Sequence, residues 1–136
     1  MSSGGVLVVA LSDGCDVGVD IELLSGRESG VILWSALAPG ERHRLSVAPV
    51  AAHPELFLRM WTMKEAVLKC TGAGLAGGPE RLETTLDPPG VAGEGVADMA
   101  GPALVHHETW GPPDRSYGLT VVAARRRIVP HGSLVP

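Results

Sequence analysis

The sequence predicts an α+β fold: an antiparallel β-sheet packed against one long helix, in a single domain. Three observations carry that prediction. The chain has 136 residues, one domain near the small end for a real core. Its segments run as a β-hairpin, then helices, then strands, the order of an antiparallel sheet with helices set to one side. The stretch from Phe57 to Leu75 (FLRMWTMKEAVLKCTGAGL) places Phe57, Met60, Trp61, Lys64 and Leu68 at helical spacing. Gly72 and Gly74 follow the last periodic residue, where a left-handed turn commonly ends a helix.

In chain order, Gly5 to Leu11 (GVLVVAL) is short, β-branched and apolar enough for a buried strand. Ser12-Asp13-Gly14 supplies a turn, and Asp16 to Leu23 resumes as a second strand paired with the first as a hairpin. Along it Val17, Val19 and Ile21 point one way and Gly18, Asp20 and Glu22 the other. Ser29 is an N-cap for a helix over Gly30 to Leu37 that Pro39 stops, and Gly40 to Leu45 begins a short charged helix. Pro49 to Pro54 is a linker into the long helix. Beyond Gly74 come a short strand at Leu82 to Leu86 and a loop or pair of poor strands over Asp87 to Pro102. Strands at Ala103 to Trp110 and Tyr117 to Ala124 follow, separated by the turn Gly111-Pro112-Pro113-Asp114. The domain runs over residues 1–131; Gly132 to Pro136 resembles part of a protease-site linker and is set aside.

Composition narrows the function classes. A net charge of −4 gives no basic footprint for nucleic acid. The longest apolar run, Val6 to Leu11, is far too short to span a bilayer, and the N-terminus lacks a secretory pattern. Cys15 and Cys70 make no disulfide framework, so reduced thiols in a cytoplasmic protein are the expectation.

The chemistry lies in three carboxylates. Asp20 and Glu22, two apart on a strand, share a face and repel unless a cation or basic group answers them. A helix packed across that face brings Glu65 as a third oxygen donor. Such a set suits Mg²⁺, which keeps waters and takes further ligands from substrate phosphate. Lys69, one turn beyond Glu65, and Lys64 would then face the phosphate charge. Read from these residues alone, solvated surface charges are the simpler alternative, with Glu65 and Lys69 as an i,i+4 surface pair.

Gly18-Val19-Asp20-Ile21-Glu22, followed by Trp61-Thr62-Met63-Lys64-Glu65-Ala66-Val67-Leu68-Lys69, resembles the two signature motifs of the 4′-phosphopantetheinyl transferases. The wording is that of the branch serving peptide and polyketide synthases. Gly72-Ala73-Gly74-Leu75 and Leu37-Ala38-Pro39-Gly40-Glu41-Arg42 are similar to further family segments, and the likeness extends over most of residues 3 to 124. The resemblance implies transfer of the phosphopantetheine arm of coenzyme A to a serine of an acyl or peptidyl carrier protein, releasing adenosine 3′,5′-bisphosphate. It implies Asp20, Glu22 and Glu65 as Mg²⁺ ligands, Lys69 on a phosphate, and Lys64 orienting the pyrophosphate or assisting the leaving group. Glu65 is also a candidate base for the carrier serine, directly or through metal-bound water.

The chain departs from that branch in length, having that of one of the two similar halves between which the branch binds coenzyme A. The family's Ser-His-Ser segment is matched only by Ser3, a candidate nucleotide contact, with Ser2 where the histidine would stand. Short relatives assemble as trimers, so the resemblance implies a homo-oligomer, trimer before dimer, with a site between subunits. Arg42, Arg44 and Arg81 are candidates for basic contacts across that boundary. A transferase-like fold repurposed to bind a carrier, or to catalyse another step on a carrier-linked intermediate, is the alternative function. Arg125-Arg126-Arg127 either receives a carrier's acidic surface or is a solvated strand end. His106-His107 lacks a third metal ligand, Cys70 reads as a packed thiol, and Trp34, Trp61 and Trp110 as core or interface residues.

Overall fold

The computed structural model describes residues 2–3, 5–24, 32–72, 78–93, 103–112 and 114–124; of Ser2, Ser3, Ala103 and Ala124 it describes the backbone. The elements are β1 (Ser2–Ser3), β2 (Val6–Leu7), β3 (Val17–Leu23), α1 (Pro39–Val47), α2 (His53–Thr71), β4 (Leu82–Leu86), β5 (Pro89–Gly93), β6 (Ala103–Trp110) and β7 (Tyr117–Ala124). Strands β3, β7 and β6 form an antiparallel sheet in that spatial order, and β1–β2 and β4–β5 are two-stranded hairpins. The α+β architecture with a long helix on an antiparallel sheet is thus as the sequence predicts.

Helix α2 runs 19 residues and lies across β3 and β7. Pro54 sits in its first turn, where a missing N–H breaks no ladder bond. Glu55 in the first turn and Lys69 in the last complement the helix dipole. Gly72, at φ 76°, ends the helix with the left-handed residue that favours glycine, its N–H donating to Lys69 O.

Two apolar clusters hold α2. Phe57, Leu58 and Met60 pack with Leu24, Leu37 and Leu45 at its N-terminal half, where Trp61 stacks on Phe57 at 6.0 Å. Ala66, Val67, Leu68 and Cys70 pack with Leu82 and Val122 at its C-terminal half. Between these clusters the helix carries Thr62, Lys64 and Glu65.

Several boundaries differ from the sequence reading. Gly5 to Leu11 is not a buried strand: only Val6–Leu7 is a strand, and Leu7, Val9 and Leu11 are exposed. The partner of β3 is β7, nearly a hundred residues away, and not the N-terminal segment. Hydrophobicity says which residues favour burial, not which strand edge they meet. Pro39 begins a helix instead of stopping one, because its φ suits the first helical position. Of the helix read over Gly30 to Leu37, Ile32 and Leu33 are not helical and Trp34–Ala36 is a 3₁₀ turn, while Ser29 to Val31 lie outside the described residues. The linker at Pro49 to Pro54 is a 3₁₀ turn over Val50–Ala52 that runs into α2. Pro89–Gly93 is a strand paired with β4. Residues 73–77, 94–102 and 125–136, which include Gly74, Arg125 to Arg127 and the tail, lie outside the described residues.

Candidate active site

The site is set by how closely β3 passes under α2. A Cβ placed on Gly18 would lie 1.9 Å from the Ala66 carbonyl oxygen and 2.6 Å from the Cys70 nitrogen, both backbone atoms. Only glycine allows that approach. Two residues on, the same strand face carries Asp20 beneath the helix, fully buried.

Asp20 Oδ1 accepts a hydrogen bond from Lys69 Nζ at 2.7 Å, an ion pair whose lysine is partly exposed. Asp20 Oδ2 is buried and has no hydrogen-bond partner among the described residues. Burial pushes the Asp20 carboxyl above its ordinary range, and the Lys69 ammonium opposes that shift. Glu65 is half-buried and also raised, first by burial and then by the Asp20 charge, with Lys69 again opposing. Two carboxylates that feel one another and share a lysine therefore meet where strand and helix cross.

The strand register extends this polar band across the sheet. Asp20 lies opposite Thr120, and Thr120 opposite His107, so the three sit in one row. His107 Nδ1 and Thr120 Oγ1 share a hydrogen bond of 2.8 Å. Burial, with Arg59 and His106 nearby, pushes His107 down to about 4. Thr62 Oγ1, from the helix above, is close enough to favour the Asp20 charge yet makes no well-formed hydrogen bond.

Lys64 corrects the sequence expectation. It does not face outward with Lys69: its side chain is fully buried, ion-paired with Glu41 Oε2 and donating to Ala36 O at 2.7 Å. Glu41 Oε2 also accepts from Ala38 N at 2.9 Å, and Oε1 accepts from Thr84 N at 2.9 Å and Thr84 Oγ1 at 2.7 Å. Burial pulls Lys64 below its ordinary range, and Glu41 holds the charge against it. The physical reason is helical geometry: Lys64 and Lys69 are five apart, so they leave the helix on different faces. Lys64 ties α2 to α1 and β4 and so positions the turn that carries Glu65.

Glu41 was missed in the sequence as a partner; its one signal is its place three residues after Ala38, where a glutamate reaches back to the first backbone N–H of a helix. Arg42 and Arg44 are likewise engaged within the chain. Arg42 Nε donates to Trp34 O and Leu37 O, each at 3.1 Å, and Arg44 Nη2 donates to Thr84 O at 2.9 Å. Arg81 is exposed, at the end of a 3₁₀ turn. Cys70 is buried, and burial pushes its thiol up, the setting of a packed cysteine.

The sequence profile described as the 4′-phosphopantetheinyl transferase superfamily matches residues 16–122, more than half of the chain and all of this site. The chain belongs to this superfamily. Among curated 4′-phosphopantetheinyl transferases, psf-1 of Bacillus pumilus is 29% identical over 112 residues, covering 82% of this chain and 48% of that protein. A Synechocystis sp. protein whose name marks it as a candidate member is 34% identical over 77 residues, covering 56% of this chain and 31% of that protein. The chain thus spans half or less of the length of these curated relatives. The fold is that of the solved Chronobacterium ammoniagenes ACPS–CoA complex, at TM-score 0.56 and 15% identity, with 84% of this chain and 100% of that one covered.

Measured against a 4′-phosphopantetheinyl transferase metal site, Asp20 and Glu65 suit a hard divalent cation: both offer oxygen only, they feel one another's charge, and Asp20 Oδ2 is a buried acceptor without a hydrogen bond among the described residues. The expected set of three is not ready-made. Among the described residues no three His, Cys, Asp or Glu side chains already converge closely enough to hold a metal ion. Glu22 is half-buried, two residues beyond Asp20 on β3. Ser3 lies in β1, and its side chain is outside the described residues.

Proposed function

We propose that this chain carries out Mg²⁺-dependent transfer of the 4′-phosphopantetheine arm of coenzyme A to a serine of an acyl or peptidyl carrier protein. The observation that carries the reading is the meeting of Asp20, Glu65 and Lys69 at the β3–α2 crossing, on the two motifs of the family. Glu65 is the candidate base, a carboxylate at the crossing beside Asp20 and Lys69. It takes the serine proton as the serine oxygen bonds to the phosphorus bearing the pantetheine arm. The bond from that phosphorus to the bridging oxygen breaks, and adenosine 3′,5′-bisphosphate departs with the electron pair. Lys69 binds a phosphate oxygen of the pyrophosphate, and Ser3 contacts the nucleotide. Lys64 acts through the fold, holding the helix turn that presents Glu65. Asp20 and Glu65, with Glu22 as third candidate, would hold Mg²⁺, whose charge would offset that of the pyrophosphate.

The protein works in the cytoplasm as a homo-oligomer, trimer before dimer. Supporting the assembly, Leu7, Val9, Leu11, Val47 and Val50 are exposed apolar side chains of the kind that interfaces cover.

A second reading, a transferase-like fold that binds a carrier without modifying it, rests on Lys64, a motif lysine that is buried against Glu41 instead of facing a phosphate. Intact-mass analysis of a panel of carrier proteins, incubated with coenzyme A, Mg²⁺ and this protein, separates the two. A carrier that gains the mass of one phosphopantetheine, and does not with Asp20→Asn, supports the transferase. No gain on any carrier, with carrier binding retained, supports the second reading.

A further inference from the structure

The Lys69–Asp20 pair joins a side chain partly open to solvent to one fully buried. Asp20 presents two oxygens beneath α2: Oδ1 holds the Lys69 ammonium at 2.7 Å, and Oδ2 is buried with no hydrogen-bond partner among the described residues. A buried carboxylate oxygen without a partner is costly, and native structures answer it with a hydrogen bond or an ion. Lys69 is itself 34% exposed in its side chain, so it can swing outward without unpacking the helix, whereas Asp20, at 0%, cannot follow. Glu65 feels both groups, with opposite signs.

We infer that Lys69 and a divalent cation compete for Asp20, so that the lysine serves as a resident counter-charge that a cation displaces toward the phosphate side of the site. This rests on the metal and phosphate roles proposed above, and deepens them by coupling the two. Electrostatics favours the exchange: a divalent ion on Oδ2 sets two positive charges across one carboxylate from the Lys69 ammonium on Oδ1, and their repulsion weakens the hydrogen bond that holds the lysine. The displaced ammonium is still on the Glu65 face, one turn on, where an incoming pyrophosphate lies beside the ion. Cation entry and readiness for phosphate are then one event. The lysine also shields Asp20 from Glu65, so the carboxylate pair is held together when no cation occupies it.

Competition makes an unusual prediction: removing a positive side chain from the site should strengthen cation binding. The test is calorimetric titration of Mn²⁺ and of Mg²⁺, without coenzyme A, into the wild-type protein, Lys69→Met, Lys69→Arg and Asp20→Asn/Lys69→Met. Lys69→Met should bind roughly tenfold more tightly, since a partly exposed ion pair and a like charge beside the cation are both removed. Lys69→Arg should stay near the wild type, and the double variant should lose binding. Equal or weaker binding by Lys69→Met overturns the inference, as does the absence of measurable binding by that variant at millimolar cation. These outcomes are independent of transfer: a wild-type protein that modifies a carrier while Lys69→Met fails to gain affinity sinks the competition and leaves the transferase reading standing. A wild-type protein that modifies no carrier while Lys69→Met binds the cation more tightly does the reverse.

Discussion

The sharpest consequence of the fold concerns Lys64, which the family motif groups with Lys69 and the structure separates from it. Lys64→Met keeps helix propensity and volume but removes the ammonium from Glu41. Glu41 is fully buried, so its carboxylate would lose the lysine that answers its charge. Removing one member of a buried pair typically costs about 3–5 kcal/mol, a large share of the roughly 5–15 kcal/mol that stabilises a domain. Glu41→Ala should cost more still, because the Ala38 N–H, the Thr84 N–H and the Thr84 hydroxyl lose their acceptor along with Lys64. Each stranded donor adds about 1–3 kcal/mol, less than additively. Urea unfolding followed by circular dichroism measures both, with the unchanged slope confirming that the midpoint shift is a stability change. The Lys64→Met/Glu41→Ala double variant should lose less than the sum of the single losses. A loss below about 1 kcal/mol in Lys64→Met, accompanied by weaker coenzyme A binding, would refute the argument and return Lys64 to the phosphate.

Three further outcomes follow from the same site. Gly18→Ala should destabilise by about 3 kcal/mol, at the upper end for overpacking, because the clash is with helix backbone that must move as a unit; a midpoint within error of wild type in the same urea assay would contradict the close crossing. Asp20→Asn should leave stability at pH 7 unchanged or higher, since burial already disfavours the charged carboxylate; a loss above about 2 kcal/mol would show that the Lys69 pair outweighs desolvation. His107 stays neutral in the folded protein down to about 4, whereas an unfolded imidazole protonates near its ordinary 6.5. Between those values the unfolded state binds the extra proton, so stability falls as pH drops through that window and is fully present above it. After discounting for partial exposure the loss is about 1–2 kcal/mol, and His107→Gln should remove it from the pH dependence of the urea midpoint; an unchanged pH profile in that variant would contradict the assignment.

What the sequence by itself determined is what short-range rules govern. The helix period over Phe57 to Leu68, the glycine stop at Gly72 and the strands Leu82–Leu86, Ala103–Trp110 and Tyr117–Ala124 depend on local backbone preferences and apolar spacing, and each appears as read. Periods of two and 3.6 also put Asp20 on a strand face and Glu65 and Lys69 on one helix face, and the structure brings these three side chains together. Pairing was beyond it. The apolar run Val6 to Leu11 looks as strand-like as Tyr117 to Ala124, yet only the latter meets β3, since long-range pairing is decided by the packing of the whole sheet under α2. The sequence also could not divide the two lysines. Lys64 and Lys69 are the same residue type on one helix, and their difference lies in what the tertiary structure brings to each: a buried glutamate from α1 for one, and an aspartate beneath a glycine-wide gap for the other. Electrostatic roles follow from distance and burial, and both are properties of the folded chain alone.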